Sequence, residues 1–305
     1  RAGHRGLLCY KAPLHKKSIE VNPYQPATRM NSGFYIIMAA QFFSSLADNA
    51  LLVAAIAMLM QADAPTWLTP YLKFFFVISY VLLAPYVGAF ADRLPKGQVM
   101  FIANTVKILG CVAMLWGADP LAAYALVGLG AAAYSPAKYG ILTEYLPHRK
   151  LVIANGWIEG LTVASIILGT VLGGVLIHIR ISGVLLHFDL PLIDTPIDTP
   201  AEAAIGLIVA VYAIAALFNL KVPATGVTLK PLPAHPWHTL TDFWRCVVYL
   251  WKDRLGQISL AVTTLFWGAG ATLQFIVIEW ARATLDYNLS KASIVAPADG
   301  VVLTR

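Results

Sequence analysis

Residues 88–98 read GAFADRLPKGQ, a short charged turn between two long apolar runs at 70–91 and 98–117. A helix needs about 20 apolar residues to cross the hydrocarbon core of a bilayer, and both runs reach that length. Five more runs of this kind occur, at 33–60, 121–142, 151–178, 201–220 and 256–281. The pattern predicts an all-α, polytopic membrane protein with seven crossings, because a helix satisfies its own backbone hydrogen bonds in lipid.

Composition agrees with a lipid environment. Of the 305 residues, 58% are hydrophobic and 12% are charged, whereas a soluble domain carries roughly 25% charged residues. The net charge of +6 is not gathered in one patch: basic residues fill the amino-terminal stretch and alternate connections, while acidic residues dominate the others. By the positive-inside rule, the amino terminus and the basic connections are predicted to be cytoplasmic. The basic character therefore indicates topology and not nucleic-acid binding.

The sequence offers no catalytic arrangement. Its three cysteines and seven histidines show no metal-ligand spacing, and paired carboxylates, a Ser-His-Asp order and a phosphate-binding loop are not found. The chain is predicted not to be an enzyme and to need no cofactor or metal.

Four segments follow from the pattern. They are a basic amino-terminal extension at 1–32, a six-helix transporter half at 33–220, a cytoplasmic linker with an amphipathic helix at 221–255, and a seventh transmembrane helix with a divergent tail at 256–305. In the linker, Trp244 and Trp251 are expected at the membrane interface. After the seventh helix the remaining residues are too few for an eighth span, so we expect that a carboxyl-terminal half is missing or that the tail has been altered.

The turn at 88–98 resembles the loop signature of the major facilitator superfamily, G-x-x-x-D-R-x-G-R-R. Gly88, Asp92, Arg93 and Lys96 match it, and the sequence departs from it at Pro95 and Gly97. These four residues are predicted to form a gating loop: Gly88 permits close helix packing, and Asp92 pairs with Arg93 or Lys96 as a latch. The alternative is a basic turn that only determines topology.

Four longer stretches carry a narrower resemblance: QFFSSLADNALL at 41–52, GLGAAAYSPAKYGILTE at 128–144, ANGWIEGLTVASIILGTVLGG at 154–174 and TTLFWGAGATLQF at 263–275. Together they resemble the lysophospholipid transporter (LplT) family of the major facilitator superfamily, from about Met30 to about Ile294. The resemblance implies a major facilitator fold, consisting here of the six-helix amino-terminal half and the first helix of the carboxyl-terminal half.

The resemblance also implies a function. Family members move lysophosphatidylethanolamine and lysophosphatidylglycerol across the bacterial inner membrane to the cytoplasmic leaflet, where an acyltransferase remakes the diacyl lipid. An acyltransferase or acyl-ACP synthetase, separate or fused, is thus an implied partner. Two rivals stay open: a major facilitator exporter of another small amphipathic solute, and a non-transporting membrane scaffold for an acyltransferase.

Polar and ionisable residues within the predicted spans are the candidate substrate site, since a charge at a helix centre costs at least about 2.5 to 3.5 kcal/mol unless paired or hydrated. A cation such as Lys107 or Lys138 would face the phosphate, and Asp48 or Glu159 would face an ethanolamine ammonium. The alternative is an intramembrane ion pair that holds helices together. The complete set of candidates is Asp48, Asn49, Lys107, Lys138, Tyr139, Asn155, Glu159 and Glu279.

Small residues on the fourth and fifth spans predict close helix contact. They include Gly128 and Gly130 on the fourth and Gly169 and Gly173 on the fifth. Pro136, within the fourth span, is expected to free a backbone carbonyl and to allow a kink that serves as a hinge.

Overall fold

The computed structural model describes residues 30–65, 67–178, 199–229, 236–285 and 288–293. All eight elements in these ranges are α-helices, and the described residues contain no strand. The helices are α1 (Ser32–Gln61), α2 (Leu68–Arg93), α3 (Lys96–Leu115), α4 (Pro120–Tyr145), α5 (His148–Leu176), α6 (Pro200–Leu220), α7 (Pro236–Lys252) and α8 (Arg254–Leu285). Most of the predicted amino-terminal extension and the end of the predicted tail lie outside the described residues.

Helix starts follow local sequence signals. Asp119 precedes Pro120 and accepts a hydrogen bond from the backbone N–H of Ala122 at 2.9 Å, which caps α4. Thr199 and Glu202 form a reciprocal capping box around the start of α6. In each case proline follows the cap, where its fixed φ suits the first helical turn and its missing N–H costs nothing.

The first six helices form a bundle in which α1 packs along α5 and α6, while α3 packs along α4 and α6, and α4 also packs along α2. Lys96 is the first residue of α3. At the same end of the bundle, Glu144 lies in the last turn of α4 and Thr225 follows α6. We call this the Lys96 end. At the opposite end, beyond α8, Ser290 donates a hydrogen bond to the carbonyl of Gly174 at 2.7 Å. The chain therefore runs up and down through the bundle, as the alternation of basic connections predicted.

Six of the described helices are long and apolar enough to cross a membrane: α1, α2, α3, α5, α6 and α8. The fourth predicted crossing is also helical, as α4, but it does not belong to that set. Its glycines, tyrosines and two prolines, together with Lys138 and Glu144, lower its hydropathy, although α4 lies between α2 and α3 in the bundle. The predicted all-helical, polytopic architecture is confirmed.

Glycines set how closely the helices approach. A β-carbon at Gly169 would lie 2.6 Å from the carbonyl oxygen of Leu46, and one at Gly173 would lie 2.7 Å from Cβ of Val53. Both contacts are too short for a side chain, so the α1–α5 contact depends on these glycines. Gly128 similarly faces the backbone of Phe76 on α2.

The expectation about Gly88 on α2 needs correction. No atom within 4 Å would meet a β-carbon at Gly88, so Gly88 does not serve close packing in this structure. Gly88 stands on a face of α2 that the described helices leave open. Pro136 lies inside α4, which is one continuous helix from Pro120 to Tyr145, and the hinge expected there stays a prediction.

Candidate functional site

An ion pair inside the bundle joins α1 to α3. Lys107 Nζ lies 2.8 Å from Oδ1 of Asp48 and 2.8 Å from Oδ2 of the same carboxylate. The hydroxyl of Tyr212 on α6 donates to Asp48 Oδ1 at 2.6 Å. The aspartate therefore holds three helices together through charge-assisted hydrogen bonds, which are stronger than neutral ones.

Neutral polar groups complete the surroundings of the lysine. Lys107 Nζ also donates to Ser44 Oγ at 3.0 Å, and Ser44 Oγ donates to Asn104 Oδ1 at 2.7 Å. The ammonium lies 5.2 Å from the ring centroid of Tyr134 and 5.5 Å from that of Tyr212. Carboxylate, hydroxyl and aromatic faces thus replace the water that a buried ammonium loses.

The two members of the ion pair differ in how deeply they are buried. The side chain of Lys107 is 1% exposed, whereas that of Asp48 is 20% exposed. Lys107, one of the two cations expected to face the phosphate, is therefore buried, and the alternative of an intramembrane ion pair describes it. Asn49 is also buried, and its amide donates to the carbonyl of Ser45 on its own helix. Of these candidates, Asp48 alone reaches the edge of the bundle.

A second cluster lies between α4 and α5. The Tyr139 hydroxyl donates to Glu159 Oε1 at 2.9 Å, and Lys138 Nζ lies 4.8 Å from the Tyr139 ring centroid. Lys138 also donates to Thr162 Oγ1 at 3.3 Å. Thr162 in turn accepts from Nε2 of Gln41 at 2.8 Å, which connects the cluster to α1.

This second cluster faces open space. Tyr139 is 41% exposed, and Glu159 and Lys138 are partly exposed. β-carbons at Gly156 or Gly160, on either side of Glu159 along α5, would meet no atom within 4 Å. A cation and a carboxylate therefore stand side by side at an accessible surface, the charge pattern that a zwitterionic headgroup complements.

The two remaining candidates join neither cluster through a described hydrogen bond. Asn155 is exposed on α5. Glu279 forms an ion pair with Arg282 at 3.3 Å, three residues further along α8. Within the part of the chain that the structure describes, no group of three or more His, Cys, Asp or Glu side chains could hold a metal ion.

Apart from Tyr139, sequence reasoning missed the neutral members of both clusters. Ser44 and Asn104 carry no charge, and Tyr212 comes from a helix with few polar residues. One signal was available on α1, where Gln41, Ser44 and Asp48 recur at intervals of three and four and therefore share a helix face. No comparable spacing of polar residues on α6 indicated Tyr212.

The loop between α2 and α3 is organised around Lys96. Its Nζ lies 2.8 Å from Asp92 Oδ1 and 3.4 Å from Glu144 Oε1, and it donates to the carbonyl of Ala91 at 2.8 Å. Thr225 donates to Oε2 of the same glutamate at 2.8 Å. Of the two pairings expected for Asp92, the described one is with Lys96, whereas Arg93 is exposed. A cavity of about 230 Å³ is lined by this cluster together with residues 224–229.

Comparison with known proteins places these features in a family context. The family model described as "Major Facilitator Superfamily" matches residues 37–303. The chain is 40% identical over 256 residues to the "Lysophospholipid transporter LplT" of Yersinia enterocolitica, a match that covers 84% of this chain and 58% of the relative. Proteins of the same name from Yersinia pestis and Yersinia pseudotuberculosis are 41% identical over 249 residues, or 82% of this chain and 56% of each relative. The chain thus spans a little over half the length of these relatives.

Proposed function

Because the chain belongs to the major facilitator superfamily, we propose that the protein is a lysophospholipid transporter of the LplT family. It moves lysophosphatidylethanolamine and lysophosphatidylglycerol to the cytoplasmic leaflet of a bacterial inner membrane. One observation carries the proposal: identity of about 40% to proteins named as lysophospholipid transporters extends over more than four fifths of the chain. The protein is a transporter and not an enzyme, and it needs no cofactor.

The two clusters suggest a division of roles for the headgroup site. The open cluster of Lys138, Tyr139 and Glu159 meets the zwitterionic headgroup, with the cation toward phosphate and the carboxylate toward the ammonium. Asp48 contributes from the edge of the bundle, while Lys107 and Asn49 support it from inside. Asn155 and Glu279 line the path of the substrate on α5 and α8.

The Lys96 end supplies the conformational latch of the proposal. Lys96 is held by Asp92 and Glu144, and Thr225 ties the segment after α6 to the same glutamate. Breaking these contacts frees the ends of α2, α3 and α4 to move in an alternating-access cycle. Arg93, which is exposed, offers its charge to the membrane surface or to the rest of the transporter.

Orientation and partners complete the proposal. Basic residues gather at the Lys96 end, including Arg93, Lys96, Arg149 and Lys150, which favours a cytoplasmic location for this end and for the amino terminus. Residues 33–220 form the six-helix half, and residues 221–255 form the linker to the seventh helix. An acyltransferase or acyl-ACP synthetase, separate or fused, consumes the transported lipid.

Charge-neutral variants of the open cluster test the proposal. In the chain extended by the carboxyl-terminal half of a relative, Glu159→Gln is expected to lower uptake of labelled lysophosphatidylethanolamine about ten-fold or more, since a hydrogen bond to a charged group contributes about 1.5 to 3 kcal/mol. Charge reversal in Asp48→Lys is expected to abolish uptake. Asp242→Asn, an exposed carboxylate on α7, is the matched control.

Membrane insertion is measured in parallel for every variant. Normal insertion with normal uptake in Glu159→Gln and Asp48→Lys would contradict the proposed site. Normal insertion of the unsubstituted protein without any uptake would instead favour a scaffold. A competition experiment distinguishes a lysophospholipid transporter from an exporter of another solute. Excess unlabelled lysophosphatidylethanolamine should suppress uptake of the label, whereas an exporter of another solute would show no such competition.

A further inference from the structure

Helix α7 carries three tryptophans on one flank. Trp237, Trp244 and Trp251 follow one another at intervals of seven residues, which is close to two helical turns, so their side chains share one side of the helix. They are 72%, 64% and 66% exposed, respectively. We call these three residues the tryptophan stripe.

The rest of the apolar face of α7 is better covered. Leu240, Phe243 and Val247 are partly buried, and α7 packs against α2 and α8. The tryptophan stripe lies beside this covered face and remains open. Burial of a large apolar side chain away from water is favourable, so three open indoles represent a substantial binding surface.

A tight corner fixes the position of the stripe relative to the membrane. Asp253 separates α7 from α8, and its Oδ2 accepts the backbone N–H of Gly256 at 2.8 Å, capping α8. Gln257 donates from Nε2 to the carbonyl of Trp251 at 2.6 Å. Because α8 is long and apolar enough to cross a membrane, this corner holds Trp251 at the foot of a spanning helix. The other two tryptophans follow at about 10 Å intervals along the axis of α7.

The chemistry of α7 identifies what covers the stripe. Indole rings favour the boundary between headgroups and acyl chains, where the ring is apolar and the N–H reaches water. Arg245, Lys252 and Arg254 are exposed next to the stripe, and they are opposed by Asp253 and by Asp242, which lies 3.4 Å from Arg245. An excess of cations beside an apolar flank matches a surface of anionic lipid headgroups.

We propose that the tryptophan stripe binds the headgroup layer of the membrane and that anionic lipids strengthen this contact through Arg245 and Lys252. The corner at Asp253 links the depth of α7 in that layer to the tilt of α8. This inference goes beyond the transport function and does not depend on which solute is carried.

Fluorescence in vesicles tests the inference with the full chain. The emission of the stripe is the difference between the emission of the unsubstituted protein and that of the triple variant Trp237→Phe, Trp244→Phe and Trp251→Phe. If the triple variant does not insert into vesicles, Trp244→Phe alone is used. Quenching is compared between phospholipids brominated near the headgroup, phospholipids brominated near the tail end, and aqueous acrylamide. Trp267→Phe, in the middle of α8, is the matched control for a deep position.

Stripe emission is expected to be quenched about two-fold more by bromine near the headgroup than by bromine near the tail end, with the order reversed for Trp267. Adding phosphatidylglycerol to phosphatidylcholine vesicles should increase the stripe quenching, and Arg245→Gln with Lys252→Gln should remove that increase. Quenching by acrylamide alone would overturn the inference, because the stripe would then lie in water. Quenching by neither agent would overturn it as well, because protein would then cover the stripe. Quenching by brominated lipid that does not change when phosphatidylglycerol is added would overturn the role of Arg245 and Lys252.

Discussion

At the scale of single residues, the charged side chains of the spans fall into two kinds. Lys107 is a buried charge matched by Asp48, whereas Lys138 and Glu159 stand at an open surface. The sequence alone placed all of them in one site, because an apolar run does not show in which direction each charged side chain points. What the sequence could not reveal is the rotation of α3, which turns Lys107 into the bundle.

The ion pair yields a prediction with a defined order of effects. Asp48→Asn leaves the ammonium of Lys107 buried without a counter-charge, and it is expected to cost about 3 kcal/mol of stability. Lys107→Met leaves the carboxylate with its Tyr212 hydrogen bond and some solvent access, so the cost should be smaller. The double variant should be more stable than Asp48→Asn, because an apolar side chain then fills the space of an unpaired cation.

Thermal unfolding of the purified variants in detergent provides the measurement. Additive losses in the double variant would contradict a direct interaction between the two side chains. Glu279→Gln, which removes a partly exposed pair on α8, is a suitable control and should change the unfolding temperature little.

At the scale of helices, the sequence predicted well which helices form and where they begin and end. It predicted less well which face of each helix packs against a neighbour. The Asp119 and Thr199 caps and the following prolines stand where α4 and α6 begin. The small residues of α5 predicted close helix contact, and the structure shows that the neighbour is α1. Gly88 shows the limit of such reasoning, because a glycine in a helix looks the same in sequence whether it faces a neighbour or open space.

Helix α5 offers a matched pair of glycines for a test. Gly169→Ala would place a methyl group 2.6 Å from the Leu46 carbonyl, and overpacking of this kind typically costs about 1 to 3 kcal/mol. Gly160→Ala meets open space, and it should be neutral or stabilising by up to about 1 kcal/mol, because alanine loses less backbone entropy than glycine in a helix.

The unfolding temperatures of the two variants are compared in the same detergent. A loss in Gly169→Ala alone would mean that glycine at position 169 is needed for the close packing of α5 on α1. Equal losses would mean that α5 is sensitive to any added methyl group. That result would remove the α1–α5 approach as the reason for glycine at position 169.

At the scale of the whole molecule, the apolar runs and the alternation of charge were enough to predict a helical membrane bundle that runs up and down. The segment after α6 was not predicted in this detail: Thr225 binds Glu144, and Val222 packs near Gly97 at the start of α3. Such contacts join residues far apart in sequence, and no local pattern encodes them. The open faces of α2 and α5 are likewise a property of the assembled helices.

The most direct test of the account is uptake of labelled lysophosphatidylethanolamine into spheroplasts that lack their own lysophospholipid flippase. The chain extended by the carboxyl-terminal half of a relative is compared with the chain as it stands and with an empty membrane. We predict uptake above the empty membrane by the extended protein, suppressed by excess unlabelled lysophosphatidylethanolamine and lost in Asp48→Lys. Correct insertion of the extended protein without any uptake would contradict the account.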